Sequence, residues 1–401
     1  MEAIIGNVYI QADRYKPIRQ RHPWVFSGAI QRVSGPVQPG DLVAVRTQGG
    51  EYLATGYYNP HSQIRVRLLT WNESEPLDER FWRNRLERAI ALRRELAFEP
   101  ATTAYRLINA EADGLPGLIV DRYGDYLVMQ CLTMGIERRK GLLLDALWEL
   151  LQPAGVLERS DVDVRKKEGL NLWAGSLRGA PPPDRLVIQE NGLPYAVDLW
   201  RGHKTGHYLD QRQNRAWVSD PRLVAGRTVL NVFAYTGGFG VYAAARGAQA
   251  VAHVDSSAEL LAQAQANMQL NGLDRRQDEY FTADAFELLR HFRDTGRQFD
   301  MVILDPPKFA HSQQDVLAAT RGYKDLNWLA CRLLRPGGWL ATFSCSGLIS
   351  ADLFQKVVFG AALDAGRDAQ IIQTLTQGPD HPVLLSFPEA AFLKGLLLRV
   401  G

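Results

Sequence analysis

Two stretches, DMVILDPPKFA at 300–310 and WLATFSCSG at 339–347, decide the fold. Each is an apolar run of strand length that stops abruptly. The first ends at Asp305 and two prolines, the second at Ser344-Cys345-Ser346-Gly347. Working back along the chain, TVLNVFA (228–234), AVAHVD (250–255) and EYFTAD (279–284) are runs of the same kind. Helical patterns separate them: FGVYAAARG (239–247), AELLAQAQANMQLNG (258–272), AFELLRHFRD (285–294) and a long segment after Phe309. Strand and helix in alternation mean parallel strands joined by crossover helices, a doubly wound α/β sheet. Ser256 and Glu259 have the spacing of a capping box and predict a helix start just after Asp255.

Ligands of open α/β sheets bind beyond the carboxyl ends of the strands, so the residues after each strand carry the chemistry. In the first loop, Asn231, Phe233, Tyr235 and Gly237 are cofactor-binding candidates, with glycines that permit a tight turn and close approach of a ligand. Asp255 stands where a carboxylate accepts from both hydroxyls of a ribose, and Asp284 where one accepts from an adenine amine. Together they imply a nucleoside cofactor. Gly238-Phe-Gly240-Val-Tyr-Ala243 fits the dinucleotide pattern GxGxxA, but Ala234-Tyr235-Thr236 make a roomier loop than a pyrophosphate needs. S-adenosylmethionine has no phosphates to cradle and uses that room, so it is favoured over a nicotinamide.

The Asp-Pro-Pro turn fixes φ at two successive positions and removes two backbone donors, a stiff loop able to present Asp305 to a planar base. The next strand end delivers the Cys345 thiol into the same cleft, with nucleophilic potential there. Cys131, in an apolar strand, and Cys331, on an apolar helix face, are core candidates.

Further out, 401 residues exclude a single small module and imply two or three domains. A composition of 46% hydrophobic and 22% charged residues excludes a disordered chain. The 46 basic and 44 acidic residues leave any nucleic-acid contact to local patches. Residues 1–72 read as short strands, 73–185 as a small α+β domain with helices over 81–96 and near 137–151, and 186–401 as the α/β domain. A hairpin at Asn191-Gly192 opens the last part. Between Asp13 and Arg32, Arg14, Lys16, Arg19 and Arg21 interleave with Tyr15, Trp24 and Phe26, a pattern that on its own fits a solvated basic loop better than an RNA surface. Three cysteines without a CxxC pair point to a reducing, cytoplasmic setting, and neither a signal pattern nor a membrane-spanning run is present. His203 and His207 have helical spacing but no accompanying ligand cluster, so they are assigned to RNA phosphate or the neighbouring hairpin, and no metal is expected.

The chain resembles the RlmI-type 23S ribosomal RNA (cytosine-C5) methyltransferase family almost end to end. The resemblance rests on RHPWVFSGAI, EADGLPGLIVDRYGD, GHYLDQRQNR, NVFAYTGGFG, ILDPPKFA, FSCSG and DHPVLLSFPEAAFLKG. It implies an N-terminal PUA-like β-barrel, a small central α+β domain and a C-terminal Rossmann-like class I methyltransferase domain. It also implies S-adenosylmethionine as cofactor, with Gln211 and Asp305 beside it, and 23S rRNA, naked or in a large-subunit precursor, as partner. The basic N-terminal patch becomes an RNA-binding surface on this view, with Arg14, Lys16, Arg21, Trp24 and Lys308 as contacts. A homodimer is a further implication.

The implied chemistry is demanding, because cytosine C5 is a poor nucleophile. A thiolate, Cys345, adds to C6 and pushes electron density to C5, while Asp305 shares a proton with N3 and the exocyclic amine. A base must then remove the C5 proton before Cys345 leaves, and no residue in the sequence stands out for that task. Related enzymes with a second cysteine in the fourth-strand loop differ from this chain, which has Pro306 and Pro307 there. The target base is expected to be flipped out of its helix. The alternatives are an RNA N-methyltransferase acting on guanine or adenine, which needs no thiol, a nicotinamide oxidoreductase and a non-catalytic assembly factor.

Overall fold

The computed structural model describes residues 2–96, 98, 100–310 and 312–401. The chain forms two compact units, one of Met1–Asn191, Val197–Leu209 and Pro379–Ala390, the other of Gly192–Ala196, Asp210–Gly378 and Ala391–Gly401.

The first unit is built on two sheets. Strands β1 (Gly6–Ile10), β2 (Trp24–Phe26), β3 (Ile30–Ser34), β4 (Leu42–Arg46), β5 (Tyr52–Tyr58) and β6 (Ile64–Thr70) form a six-stranded sheet in the order β2-β6-β5-β4-β1-β3. Its inward residues Val8, Ile10, Val43, Val45, Val66 and Leu68 make one core. Strands β7 (Ala104–Asn109), β8 (Leu118–Tyr123), β9 (Tyr126–Cys131), β10 (Gly155–Ser160) and β11 (Trp173–Gly179) form the second sheet, ordered β11-β10-β9-β8-β7. The helix Glu79–Glu95 is capped by Asp78, whose carboxylate accepts from the Phe81 N–H, and buries Trp82, Leu86 and Ile90. The expected helix near 137–151 is two helices, Met134–Arg138 and Lys140–Leu151. They part at Arg139, whose guanidinium reaches the carbonyls of Gly40 and Gly135. Arg67, also buried, pairs with Glu111 at 2.9 Å and Glu168 at 3.1 Å. Removing one partner of such a buried network leaves an uncompensated charge, which is why these three residues act as one. A last strand of this unit is β12 (Leu186–Glu190). The turn after it has φ 50° at Asn191 and 80° at Gly192, the two positive values that an Asn-Gly turn supplies.

The second unit contains β13 (Leu193–Val197) up to Ala196 and a seven-stranded sheet. Its strands are β14 (Thr228–Val232), β15 (Ala250–Asp255), β16 (Glu279–Thr282), β17 (Phe299–Leu304), β18 (Leu334–Ser344), β19 (Ala369–Leu375) and β20 (Lys394–Val400). The order is β16-β15-β14-β17-β18-β20-β19. The five strands from β16 to β18 are parallel, as the alternation predicted; β20 lies antiparallel between β18 and β19. Because the chain runs outward from β14 to β16 and then restarts at β17 on the other side, the switch of direction falls between β14 and β17. The helices Gly238–Ala245, Ala258–Leu270, Ala285–Asp294, Val316–Leu333 and Ala351–Asp364 accompany the sheet.

The start of the second of these helices differs from expectation. Its N-cap is Ser257, whose hydroxyl accepts from the Leu260 N–H, and Ser256 is exposed. The shift of one residue follows from Asp255, whose carboxylate accepts from the Ser257 N–H and sets the chain entering the helix.

Gly240 allows the first helix to lie on β15: a Cβ there would stand 2.1 Å from the His253 ring. That ring is fully buried, stacked on Tyr280 at 4.9 Å, and neither ring nitrogen has a partner. Burial lowers its pKa from 6.5 to about 4, against the smaller upward pull of Asp278 and Asp274. As pH falls below 6.5 the unfolded chain takes up this proton and the folded chain does not, so stability drains away until about pH 4. Between pH 7 and pH 5 His253 is expected to cost about 2 kcal/mol of stability. Urea unfolding of wild type and His253→Phe at both pH values checks this; an identical pH dependence in the two proteins would contradict it.

Candidate active site

Five parallel strands ending at one edge bring the expected residues to a common rim. Asn231 is the penultimate residue of β14, Asp255 closes β15, Asp284 follows β16, Asp305 follows β17 and Cys345 follows β18. Leu304 is in register with Thr342, so Asp305 and Cys345 leave from neighbouring strands.

The loop after β14 has positive φ at Phe233 (61°), Tyr235 (51°) and Gly237 (83°). Two non-glycine residues in this region are a strained arrangement that persists only where surroundings enforce it. At Tyr235 Asp255 holds the chain, accepting from the Tyr235 N–H at 2.9 Å while its other oxygen takes the Ser257 N–H at 3.0 Å. A carboxylate has about four acceptor positions, so this one retains capacity for a ligand's hydroxyls. At Gly237 a Cβ would stand 2.9 Å from Ala264, which leaves glycine as the residue that fits. Asn231 is 1% exposed, and neither its amide nitrogen nor its oxygen has a partner. A buried unsatisfied amide costs on the order of 1–3 kcal/mol, which a ligand's donor and acceptor meeting it there would recover. Asp284 is exposed and caps the helix Ala285–Asp294 through the Glu287 N–H.

Gln211 lies at the end of the short turn Leu209–Gln211, buried, and its amide donates to Asp305 at 2.9 Å. Asn214, one helical turn on, donates to the Gln211 oxygen at 2.6 Å and to the Thr376 carbonyl at 3.0 Å. Gln211 is thereby fixed with its NH₂ toward the carboxylate. The Asp305 N–H faces the Val232 carbonyl at 3.5 Å, which ties the Asp-Pro-Pro loop to the switch point.

Cys345 is half-buried at the rim, whereas Cys131 and Cys331 are fully buried. Burial pushes the Cys131 thiol well up and the Cys331 thiol to about 11, so both are poor nucleophiles at neutral pH. The loops carrying Asp305 and Cys345 are joined: the Ala310 N–H donates to the Ser346 hydroxyl at 3.2 Å. The Ser344 hydroxyl donates to the Tyr323 phenol oxygen at 3.0 Å, and Lys394 donates to the Ser346 carbonyl at 2.6 Å. Lys308 is exposed on the Asp-Pro-Pro loop. Asn214, Tyr323 and Lys394 were not singled out from sequence. Asn214 falls at a helical i+3 spacing from Gln211 and was legible in principle; Tyr323 and Lys394 reach the site only through tertiary packing.

In the first unit Arg14, Lys16 and Arg21 are exposed, and Arg21 stands 5.7 Å from the Trp71 ring. Trp24 is half-buried, its indole N–H on Glu111 at 2.8 Å and its ring 4.5 Å from Phe387. His203 and His207 do not share a helix, because residues 201–207 run through turns and bends. His207 faces Glu190 at 3.5 Å and His203 faces the Tyr208 hydroxyl at 3.2 Å. Cys131, Glu137 and Glu158 also cluster, but Lys140 and Arg165 pair with the two glutamates and neutralise them.

Residues 173–399 match the S-adenosylmethionine-dependent methyltransferase family, and residues 8–71 match the PUA-like domain. The ribosomal RNA large subunit methyltransferase I of Aliivibrio fischeri strain ES114 is 48% identical over 394 residues, 98% of this chain and 99% of that protein. That of Shewanella amazonensis is 49% identical over 393 residues, again 98% of this chain and 99% of the relative. The chain belongs to the ribosomal RNA large subunit methyltransferase I family. Its methyl donor is therefore S-adenosylmethionine, and the PUA-like N-terminal and methyltransferase C-terminal parts expected from sequence are both present. A solved methyltransferase from Streptococcus mutans, 23% identical, superposes with a TM-score of 0.86 over 99% of this chain and 100% of that one, a likeness of fold. A second solved methyltransferase with the same TM-score and identity is in complex with S-adenosylhomocysteine. Among the described residues, no helix is long and apolar enough to cross a membrane.

The rim of this family member fits the donor. The unpaired Asn231 amide, the spare acceptor positions of Asp255 and the opened loop at Tyr235 suit an uncharged nucleoside better than a pyrophosphate. Asp255→Asn is expected to weaken S-adenosylhomocysteine binding about tenfold, since one charge-assisted hydrogen bond is lost. Isothermal titration measures it, and an unchanged Kd would remove Asp255 from the cofactor site.

Proposed function

We propose that the chain forms 5-methylcytidine in 23S ribosomal RNA, with Cys345 as the nucleophile that adds to cytosine C6 and Asp305 as the partner of N3 and the exocyclic amine. The observation that carries this reading is the pairing of a half-exposed thiol with a carboxylate on adjacent parallel strand ends, their loops joined through Ala310 and Ser346.

S-adenosylmethionine supplies an electrophilic methyl group when bound. Everything else falls to the chain. Asn231, Phe233, Tyr235, Gly237, Asp255, Asp284 and Gln211 hold the donor in this proposal, and Gln211 keeps Asp305 oriented through its 2.9 Å hydrogen bond. The Cys345 thiolate attacks C6, the π electrons move toward C5, and Asp305 shares the proton at N3 that takes up the new charge. C5 takes the methyl group, whose bond to the donor's sulfur would break to leave S-adenosylhomocysteine, a base removes the C5 proton, and the electron pair returns to expel Cys345.

The N-terminal part serves as the RNA grip, with Arg14, Lys16 and Arg21 neutralising phosphate, Trp24 beside them and Lys308 meeting RNA at the rim. Residues 1–72, 73–185 and 186–401 are the corresponding RNA-binding, central and methyltransferase domains, and a homodimer completes the proposal.

Unmethylated 23S RNA incubated with labelled S-adenosylmethionine, followed by nucleoside mass analysis, tests it. Wild type is expected to yield 5-methylcytidine, and Cys345→Ala to lose at least a thousandfold in rate. A methylated guanosine or adenosine, formed equally well by Cys345→Ala, would establish N-methylation instead.

A further inference from the structure

The last strand of the chain was not read from the sequence, and it brings a cation to the strand end that carries the thiol. Strand β20 runs antiparallel to β18 with Ser344 directly opposite Lys394. Residues opposite each other in an antiparallel pair share a face of the sheet, so Lys394 is set beside the strand end that delivers Cys345. Its ammonium donates to the Ser346 carbonyl at 2.6 Å and the Phe392 carbonyl at 2.7 Å. These tethers, one to the segment that follows β18 and one to the segment that precedes β20, hold the Nζ atom in place. Both acceptors are neutral, and none of the described carboxylates pairs with Lys394, so its charge is not cancelled locally.

The other ionisable groups at this point are Asp305, whose carboxylate on the neighbouring strand end opposes ionisation of the thiol, Tyr323 and Lys308. Tyr323 comes from the helix Val316–Leu333, its phenol raised by burial and bound to the Ser344 hydroxyl. Lys308, from the Asp-Pro-Pro loop, is exposed and adds a weaker positive field. Lys394 is half-buried and its pKa is lowered, chiefly by burial, with the neighbouring Cys345 acting in the opposite direction and Lys308 adding to the fall.

We propose that Lys394 is the positioning residue that keeps Cys345 in its thiolate form. This rests on the reading of Cys345 as nucleophile and adds the source of its ionisation. The thiol proton passes to solvent, while Lys394 keeps its own protons and does not touch the RNA base. A cation beside a cysteine is a general means of lowering a thiol pKa. The same role explains why a lysine, which is costly to bury, occupies the first position of a strand whose next four residues are buried.

The test is the pH dependence of iodoacetamide alkylation at Cys345, followed by peptide mass analysis on the full-length chain. Wild type is expected to have a midpoint below the 8.5 or so of an unperturbed cysteine. Lys394→Met is expected to raise the midpoint by about one unit, a tenfold loss of thiolate at neutral pH, and Lys394→Arg to restore most of it. A wild-type midpoint at or above the unperturbed value overturns the proposal without any variant. So does an unchanged midpoint in a Lys394→Met protein that still binds S-adenosylhomocysteine. The readout does not depend on turnover. If the midpoint shifts while Cys345→Ala still methylates RNA normally, the nucleophile assignment fails and the electrostatic coupling stands.

Discussion

The parallel register of β17 and β18 is the constraint on which the site depends. With Leu304 opposite Thr342, both strands reach the same edge within a residue or two of each other, and their next residues are Asp305 and Cys345. Neither loop is self-sufficient. Pro306 and Pro307 have no N–H groups to offer, so the first loop is anchored from outside, by Val232 at its start and by Ser346 at its end. The chemistry thus rests on backbone placement supported by a few side-chain hydrogen bonds.

A second layer of support surrounds this pair. Gln211 is held by Asn214 and turned toward Asp305, Asp255 pins the strained Tyr235 loop, and Lys394 is tethered across β18. Each of these is a polar group given one geometry by neighbours whose own positions are set by packing. Such an arrangement reduces the reorganisation needed when a substrate arrives, which is where preorganised sites gain their rate.

Much of this was legible in the sequence because strand ends announce themselves. Alternating apolar runs gave the parallel sheet, and the residues that interrupt those runs, Asp255, Asp305 and Cys345, are the ones at the rim. The burial of Cys131 and Cys331 also followed from the apolar patterns around them. The rest depended on tertiary pairing. Lys394 opens a strand that inserts antiparallel between β18 and β19, and no local pattern in LKGLLLRV says which strand it will join. The resemblance makes Trp24 an RNA contact, yet Glu111 and Phe387, far away in sequence, draw it half inside. The cap at Ser257 in place of Ser256 has a local cause, the Asp255 carboxylate, which takes the Ser257 N–H and sets the chain as it enters the helix.

The most direct test of the central claim is to trap the bond between thiol and base. RNA carrying 5-fluorocytidine cannot lose a proton from C5 after methylation, so an adduct that forms should persist. With S-adenosylmethionine present, the account predicts a denaturation-resistant protein–RNA complex whose cross-linked peptide contains Cys345. Efficient methylation of ordinary RNA by the same preparation, with no such complex on the fluorinated RNA, would contradict it.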